Sequence, residues 1–419
     1  MTRFALAVLL VARLAHGEVL AVSDERLANG LRVVLAPDPT ASVVAIHVRF
    51  DGSDAHSHLL ERLMFLGSLH VKAGELEHRV DAAGGWTGST TTVDHVSVFE
   101  QVPAEALELA LWLEAERMAG FADAIDDAAL AHAKQDIAAE RRSAYEIEPS
   151  ALVARELQQA LWPTGHVNAR LVLADVAGAN LTATRSLAKA RINPARATLV
   201  IAGRFDLAKT RERVTRYFGW IAREPRPPVE NLAVWPLERS EQRVIRDPIA
   251  SVVVAFRLPL PFSEDAIAME IAARMLAGGR TSRLQRRLVD AGLASAVDAE
   301  IVHQRDGCEL HLRATPIAGV DATHLAAEIR DELAKLRARA QSDDEVRRAA
   351  TALDSELVIA LESPVFRADM LARWAAYTGS PRFLDKQRAL LRTVTPQTIQ
   401  RVATQWLAHD VTIIAKGAK

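Results

Sequence analysis

The chain has one cysteine, Cys308, in 419 residues. An intramolecular disulfide is therefore excluded, as is any metal centre built on several thiolates. The lone thiol reads as a small buried apolar residue. Charge of one sign is also lacking, since 51 lysines and arginines face 53 aspartates and glutamates for a formal net charge of -2. That balance supplies no field to hold a nucleic acid or an anionic membrane surface. No stretch after the N-terminus is apolar enough to cross a bilayer, so neither nucleic acid nor membrane is expected as a partner. What is present, 49% hydrophobic and 25% charged residues, suits a globular protein with two sizeable cores.

At the N-terminus Arg3 precedes an apolar run from Phe4 to Ala12, and Ala15 and Gly17 put small residues where a signal peptidase inspects the chain. Residues 1–17 read as a secretory signal too short to remain as an anchor, so the expected location is exported, in the periplasm.

The second half of the chain repeats the first. Leu181-Thr-Ala-Thr leads through a helical stretch to Asn193-Pro194-Ala195-Arg196 and the apolar strand Ala197 to Ala202, closed by Gly203. Val394-Thr-Pro-Gln leads in the same order to His409-Asp410 and the strand Val411 to Ala415, closed by Gly417. Long helices are expected over Asp126 to Tyr145 and Ser342 to Glu362, the second opened by a serine cap and acidic residues at the positive end of the helix dipole. Strands are expected over Val43 to Phe50, Val93 to Val98, Val252 to Leu258 and Glu309 to Ala314. The pattern is α+β, given twice. The proline-dense stretch Glu224-Pro-Arg-Pro-Pro-Val-Glu cannot continue a helix. It divides the chain into a first domain at 18–222, a linker at 223–242 and a second domain at 243–419.

The chemistry concentrates in His58-Leu59-Leu60-Glu61-Arg62-Leu63-Met64-Phe65-Leu66-Gly67-Ser68, an amphipathic helix ending at a glycine. On a helix His58, Glu61 and position 62 share one face. A zinc site of the H-x-x-E-H kind needs imidazoles at i and i+4, with a glutamate to take a proton from metal-bound water. Here the second imidazole is Arg62. The other histidines near this segment in sequence, His56, His70, His78, His95 and His132, read as surface or loop residues.

That run, Gly84-Gly85-Trp86-Thr87-Gly88-Ser89-Thr90-Thr91, the stretch Ala106 to Met118, Glu140-Arg141-Arg142, Asn193 to Gly203 and Gly278-Gly-Arg-Thr-Ser-Arg-Leu284 together resemble the half-length bacterial members of the pitrilysin/insulinase family of inverted-motif zinc peptidases. The resemblance covers nearly the whole mature chain. It implies two homologous α+β sandwich domains forming half of a clam shell, with substrate enclosed between two such pairs. Carried onto these positions, His58 matches the first zinc ligand, Glu61 the general base and Glu140 the third ligand. Arg62 falls on the second ligand, and Gly88, Ser89 and Thr90 lie in the strand that grips substrate backbone.

The departures decide the expectation. A guanidinium has no lone pair for a metal and carries a fixed positive charge where the cation belongs; it is expected instead to pair with Glu61 or Glu140. The family's asparagine is Gly88 here, a second acidic residue of the long helix is Ala133, and the arginine–tyrosine pair of some second domains is missing from Leu288 to Ser295. The expected function is a non-catalytic subunit that pairs with a related active zinc peptidase, or with itself, to enclose a peptide. No cofactor is expected in that case. The alternative is a zinc endopeptidase with a substitute second ligand, and a third possibility is a pure scaffold.

Overall fold

The computed structural model describes residues 20–148, 151–170, 172–225 and 234–417. The expected signal segment and the middle of the expected linker lie outside these residues.

Two sheets organise the chain. The first contains β1 (Ser23–Arg26), β2 (Arg32–Pro37), β3 (Val43–Asp51), β4 (Trp86–Thr91), β5 (His95–Pro103) and β6 (Ala197–Gly203), in the spatial order β1-β2-β6-β3-β5-β4. The second contains β7 (Glu241–Arg246), β8 (Ser251–Leu258), β9 (Ala294–Val302), β10 (Cys308–Pro316) and β11 (Val411–Lys416), in the order β7-β11-β8-β10-β9. Both centre on β-branched strands that are buried on both faces, such as Val44, Ala45, Ile46 and Val48 in β3 and Val252 to Ala255 in β8. Residues 241 and 242, read as linker, already belong to β7, which pairs in parallel with β11. The strand expected from Val93 begins instead at His95 and runs on to Pro103, because Asp94 is taken up by side-chain contacts described below.

The first sheet is covered on its inner face by α1 (Ser57–Leu63), α2 (Glu75–Ala82), α3 (Leu107–Ala124), α4 (Asp127–Arg142), α6 (Leu181–Arg191) and α7 (Leu207–Phe218). The second is covered by α8 (Glu264–Ala277), α9 (Ala322–Ala338), α10 (Asp343–Ala360), α12 (Leu384–Thr393) and α13 (Pro396–Trp406). The long helices α4 and α10 start at side-chain caps: Asp126 accepts from the amide of Ala129, and Ser342 from that of Glu345. Beyond Arg142 the first continues as a π-helical turn over Ser143–Ile147.

The two remaining helices cross over. Helix α5 (Ala151–Leu161) lays Val153, Leu157 and Leu161 on Val253, Ala255, Val411, Ile413 and Ala415 of the second sheet. Helix α11 (Pro364–Tyr377), from the second half, packs on β3 and β6 of the first sheet, in one core with Val34, Ala36, Ala45, Val200 and Ala202. Polar contacts pin this crossing. Arg367 pairs with Asp38 at 2.8 Å, and Arg32 donates to the carbonyl of Ala375 at 2.9 Å.

Asp94, in the β4–β5 hairpin, ties the halves together from the inside. It accepts from the Tyr377 hydroxyl at 2.9 Å and from the amide of Arg305 at 2.8 Å, with the Arg49 guanidinium at 3.8 Å. Burial alone would raise its pKa, but hydrogen bonding to His95 and the charge of Arg49 overcome this and hold it well below the usual carboxylate range.

Candidate metal centre

Helix α1 is short because the chain must turn sharply after it. Gly67 has φ 111°, and a Cβ there would lie 2.9 Å from the carbonyl oxygen of Val71. Only glycine fits that turn without strain. Leu59, Leu60 and Leu63 anchor α1 in the core, which leaves His58, Glu61 and Arg62 facing the last turn of α4 and the end of strand β4.

The four side chains singled out in the sequence meet there. His58 Nδ1 lies 2.8 Å from Glu61 Oε2, and His58 Nε2 lies 2.9 Å from Glu140 Oε2. Arg62 Nη2 pairs with the other oxygen of Glu140. The result is an unbroken series of alternating charge: Glu61, His58, Glu140, Arg62. Burial disfavours charge on His58, but its hydrogen bonds to Glu61 and Glu140 and their charges outweigh this, so its pKa is raised above the ordinary imidazole value. Glu61 is likewise buried, yet hydrogen bonds with His58, Ser89 and Thr91 hold its pKa below the usual glutamate value. Each oxygen-bearing neighbour thus stabilises an ionised glutamate, and an imidazolium fits between two carboxylates.

Strand β4 supplies the other wall. It is the outermost strand of the first sheet and pairs only with β5 among the described residues. Ser89 and Thr91 point to the inner face, and the Thr91 hydroxyl donates to Glu61 Oε2. Thr91 was not among the substrate-strand residues singled out from the sequence, although period-2 alternation from Ser89 would have placed it on the same face. Thr90 is exposed. Gly88 faces the other way, and a Cβ there would sit 2.6 Å from the Phe99 ring. The ring therefore occupies the space a side chain at position 88 would need, in edge contact with Trp86, with centroids 5.9 Å apart. Ala133, where the family has a second acidic residue, is fully buried in the core.

The other histidines near the motif in sequence have other contacts or lie apart from it. His70 is exposed and paired with Glu116, and His132 is paired with Asp136 on the outside of α4; His95, read from the sequence as a surface or loop residue, is instead buried at the start of β5 because its ring is held by Asp94.

The comparisons with known proteins agree with this architecture. The insulinase (peptidase family M16) model matches residues 33–175, and the M16 inactive-domain model matches residues 179–353. The chain belongs to the insulinase family. Among its relatives in that family is the zinc protease PqqE of Helicobacter pylori, 24% identical over 397 residues, covering 91% of this chain and 89% of that one. The crystal structure of a protease from Helicobacter pylori superposes with a TM-score of 0.86 at 20% identity, over 95% of this chain and 99% of that one. A peptidase M16 inactive domain from Pseudomonas fluorescens superposes with a TM-score of 0.82 at 14% identity, over 96% and 100%. The insulinase fold, two α+β units of like plan, is therefore the fold of this chain.

The metal that the family implies does not suit the donors present. A zinc site takes at least three unprotonated protein ligands. His58 has both ring nitrogens engaged by carboxylates, and Glu140 shares its charge with a guanidinium standing where the second imidazole belongs. Among the described residues no group of three or more histidine, cysteine, aspartate and glutamate side chains is disposed to hold a metal ion. A cation entering this site would first have to displace the contacts of His58 with Glu61 and Glu140 and then work against Arg62.

Proposed function

We propose that this insulinase-family chain is a non-catalytic subunit that pairs with an active zinc peptidase of the same family and helps enclose an extended peptide. The observation that carries this reading is the series Glu61–His58–Glu140–Arg62, in which protein cations neutralise the carboxylates that a metal would otherwise neutralise. Glu61 is held by hydrogen bonds from three neighbouring side chains, which leaves it poorly placed to activate a water. The outer edge of β4 pairs with no other strand among the described residues, and adding a peptide strand to a sheet edge needs free backbone groups and cavity walls rather than a metal. In this reading the partner supplies the hydrolytic centre, and residues 1–17 direct the chain to the periplasm. The alternative, a zinc endopeptidase with a substitute ligand, draws on the names of the relatives; zinc would then be its cofactor.

The test is zinc content by elemental mass spectrometry after dialysis against trace zinc, with Arg62→His prepared in parallel. The wild type is expected to stay near zero, and the variant to take up about one zinc per chain once a second imidazole replaces the guanidinium. Stoichiometric zinc in the wild type would overturn the proposal and redirect attention to peptide cleavage.

A further inference from the structure

The second half contains a like crossing, of the 14-residue α8 over the long α10, and its register can be compared with the first. Glu140 lies fourteen residues beyond the cap Asp126 of α4, and Glu356 lies fourteen residues beyond the cap Ser342 of α10. Arg62 precedes Gly67, with φ 111°, by five residues; Arg274 precedes Gly279, with φ 99°, by five. Helices α8 and α10 pack on each other as α1 and α4 do. Arg274 Nη2 lies 2.7 Å from Glu356 Oε1, and Nη1 lies 3.0 Å from Oε2, a two-pronged contact.

The parallel reaches the imidazole as well. Glu270 stands four residues before Arg274, as His58 stands four before Arg62, and it is paired at 3.0 Å with His303 from the segment between β9 and β10. Both halves therefore assemble one histidine, one arginine and two glutamates at like crossings. In the second half nothing about this set requires a metal. A guanidinium–carboxylate contact there joins α8 to α10 by itself.

We infer that Arg62–Glu140 is a metal-free clamp built on the plan of Arg274–Glu356, tying the site helix to the long helix in the place where a metal ion would tie them. This rests on the non-catalytic reading of the first half but adds a mechanical role to it. A bound metal in this position links α1 to α4 through shared ligands. The ion pair makes the same link between the same two backbones, and it needs no loading, so the wall opposite β4 keeps its position whatever the metal supply. Arg62 is thus a positioning residue of the peptide groove.

Hydrogen exchange read by mass spectrometry on the full chain tests this, using wild type, Arg62→Ala, Arg62→Lys, Arg274→Ala and Arg62→His with and without added zinc. Arg62→Ala should speed exchange over residues 57–66 roughly fivefold and leave 270–277 alone, Arg274→Ala should do the reverse, and Arg62→Lys should fall between wild type and alanine. In Arg62→His the same segment should exchange fast without zinc and slow again when zinc is added, while the wild type ignores zinc. Unchanged exchange over 57–66 in Arg62→Ala would overturn the clamp, and a silent Arg274→Ala would overturn the shared plan. Should wild-type exchange itself slow with zinc, the non-catalytic reading fails instead, so the two failures are separable.

Discussion

The two halves carry the same set of four side chains, a histidine, an arginine and two glutamates, but join them differently. In the first half they form one series, with His58 on the short helix bridging both glutamates. In the second the set divides into two pairs, Arg274 with Glu356 and Glu270 with His303. The difference lies in which element carries the imidazole. Placed on α1, it reaches the long helix and lies in the middle of the set; placed on the hairpin, it reaches only Glu270 of α8. The first half therefore keeps the spacing of a metal site, with a donor at i and a carboxylate on the long helix, although a fixed cation stands at i+4 where a neutral imidazole would be.

The halves differ again in how deeply each crossing helix is embedded. On α11 Trp374 is fully buried and donates to Gln387 at 2.9 Å, so Trp374→Ala is expected to cost about 3–5 kcal/mol in denaturant unfolding. Leu157 on α5 packs against the second sheet beside an open groove of about 410 Å³. Leu157→Ala should fall near the lower end of the usual range, about 2 kcal/mol, because the site relaxes into that space. Equal losses would remove this asymmetry.

Asp94 tests the joint between the halves. Asp94→Asn removes one of the two carboxylates beside the buried Arg49, which keeps Asp51 at 3.1 Å, and weakens the contacts to Tyr377 and Arg305. A loss of about 2 kcal/mol is expected from the weakened hydrogen bonds to a charged acceptor, with both halves unfolding less cooperatively in calorimetry. A loss under a few tenths would show that helix packing alone holds the halves together.

The smallest expected effect sharpens a contrast between matching inner strands. On β10 the inner face is Cys308, Leu310, Leu312 and Ala314, whereas β5 sets the fully buried Glu100 among Val96, Val98 and Val102. Burial first, then the nearby charge of Glu114, pushes the Glu100 pKa well above its ordinary value. A raised folded-state pKa stabilises fully below the unfolded value, and that contribution declines as pH rises from there towards the folded value. Glu100→Gln should therefore lose less stability than wild type as pH rises above the ordinary glutamate value. Parallel pH–stability curves would contradict it.

Much of this was legible along the chain. The second long helix announced itself through Ser342, whose short polar side chain satisfies a free amide of the first turn, while the matching cap at Asp126 was found in the structure. The helical spacing of His58, Glu61 and Arg62 was equally readable, as was the expectation that Arg62 meets a glutamate. Other features were not readable. Nothing local says that Val93 and Asp94 leave the strand, because Asp94 is drawn to Tyr377, which follows it by 283 residues. The need for glycine at 88 comes from Phe99 on the neighbouring strand, and the match between Glu140 and Glu356 emerges only when both caps are known.

By itself the sequence determined the α+β repeat, the family likeness and the loss of an imidazole at position 62, since these depend on periodicity, caps and residue chemistry within a few turns of chain. Only the tertiary structure decided that His58 bridges two carboxylates, which raise its pKa, and that α5 and α11 exchange sheets. It also decided that the second half repeats the Arg–Glu contact. Each of these depends on distances between segments tens to hundreds of residues apart, which local propensity does not encode and the packing of two cores does.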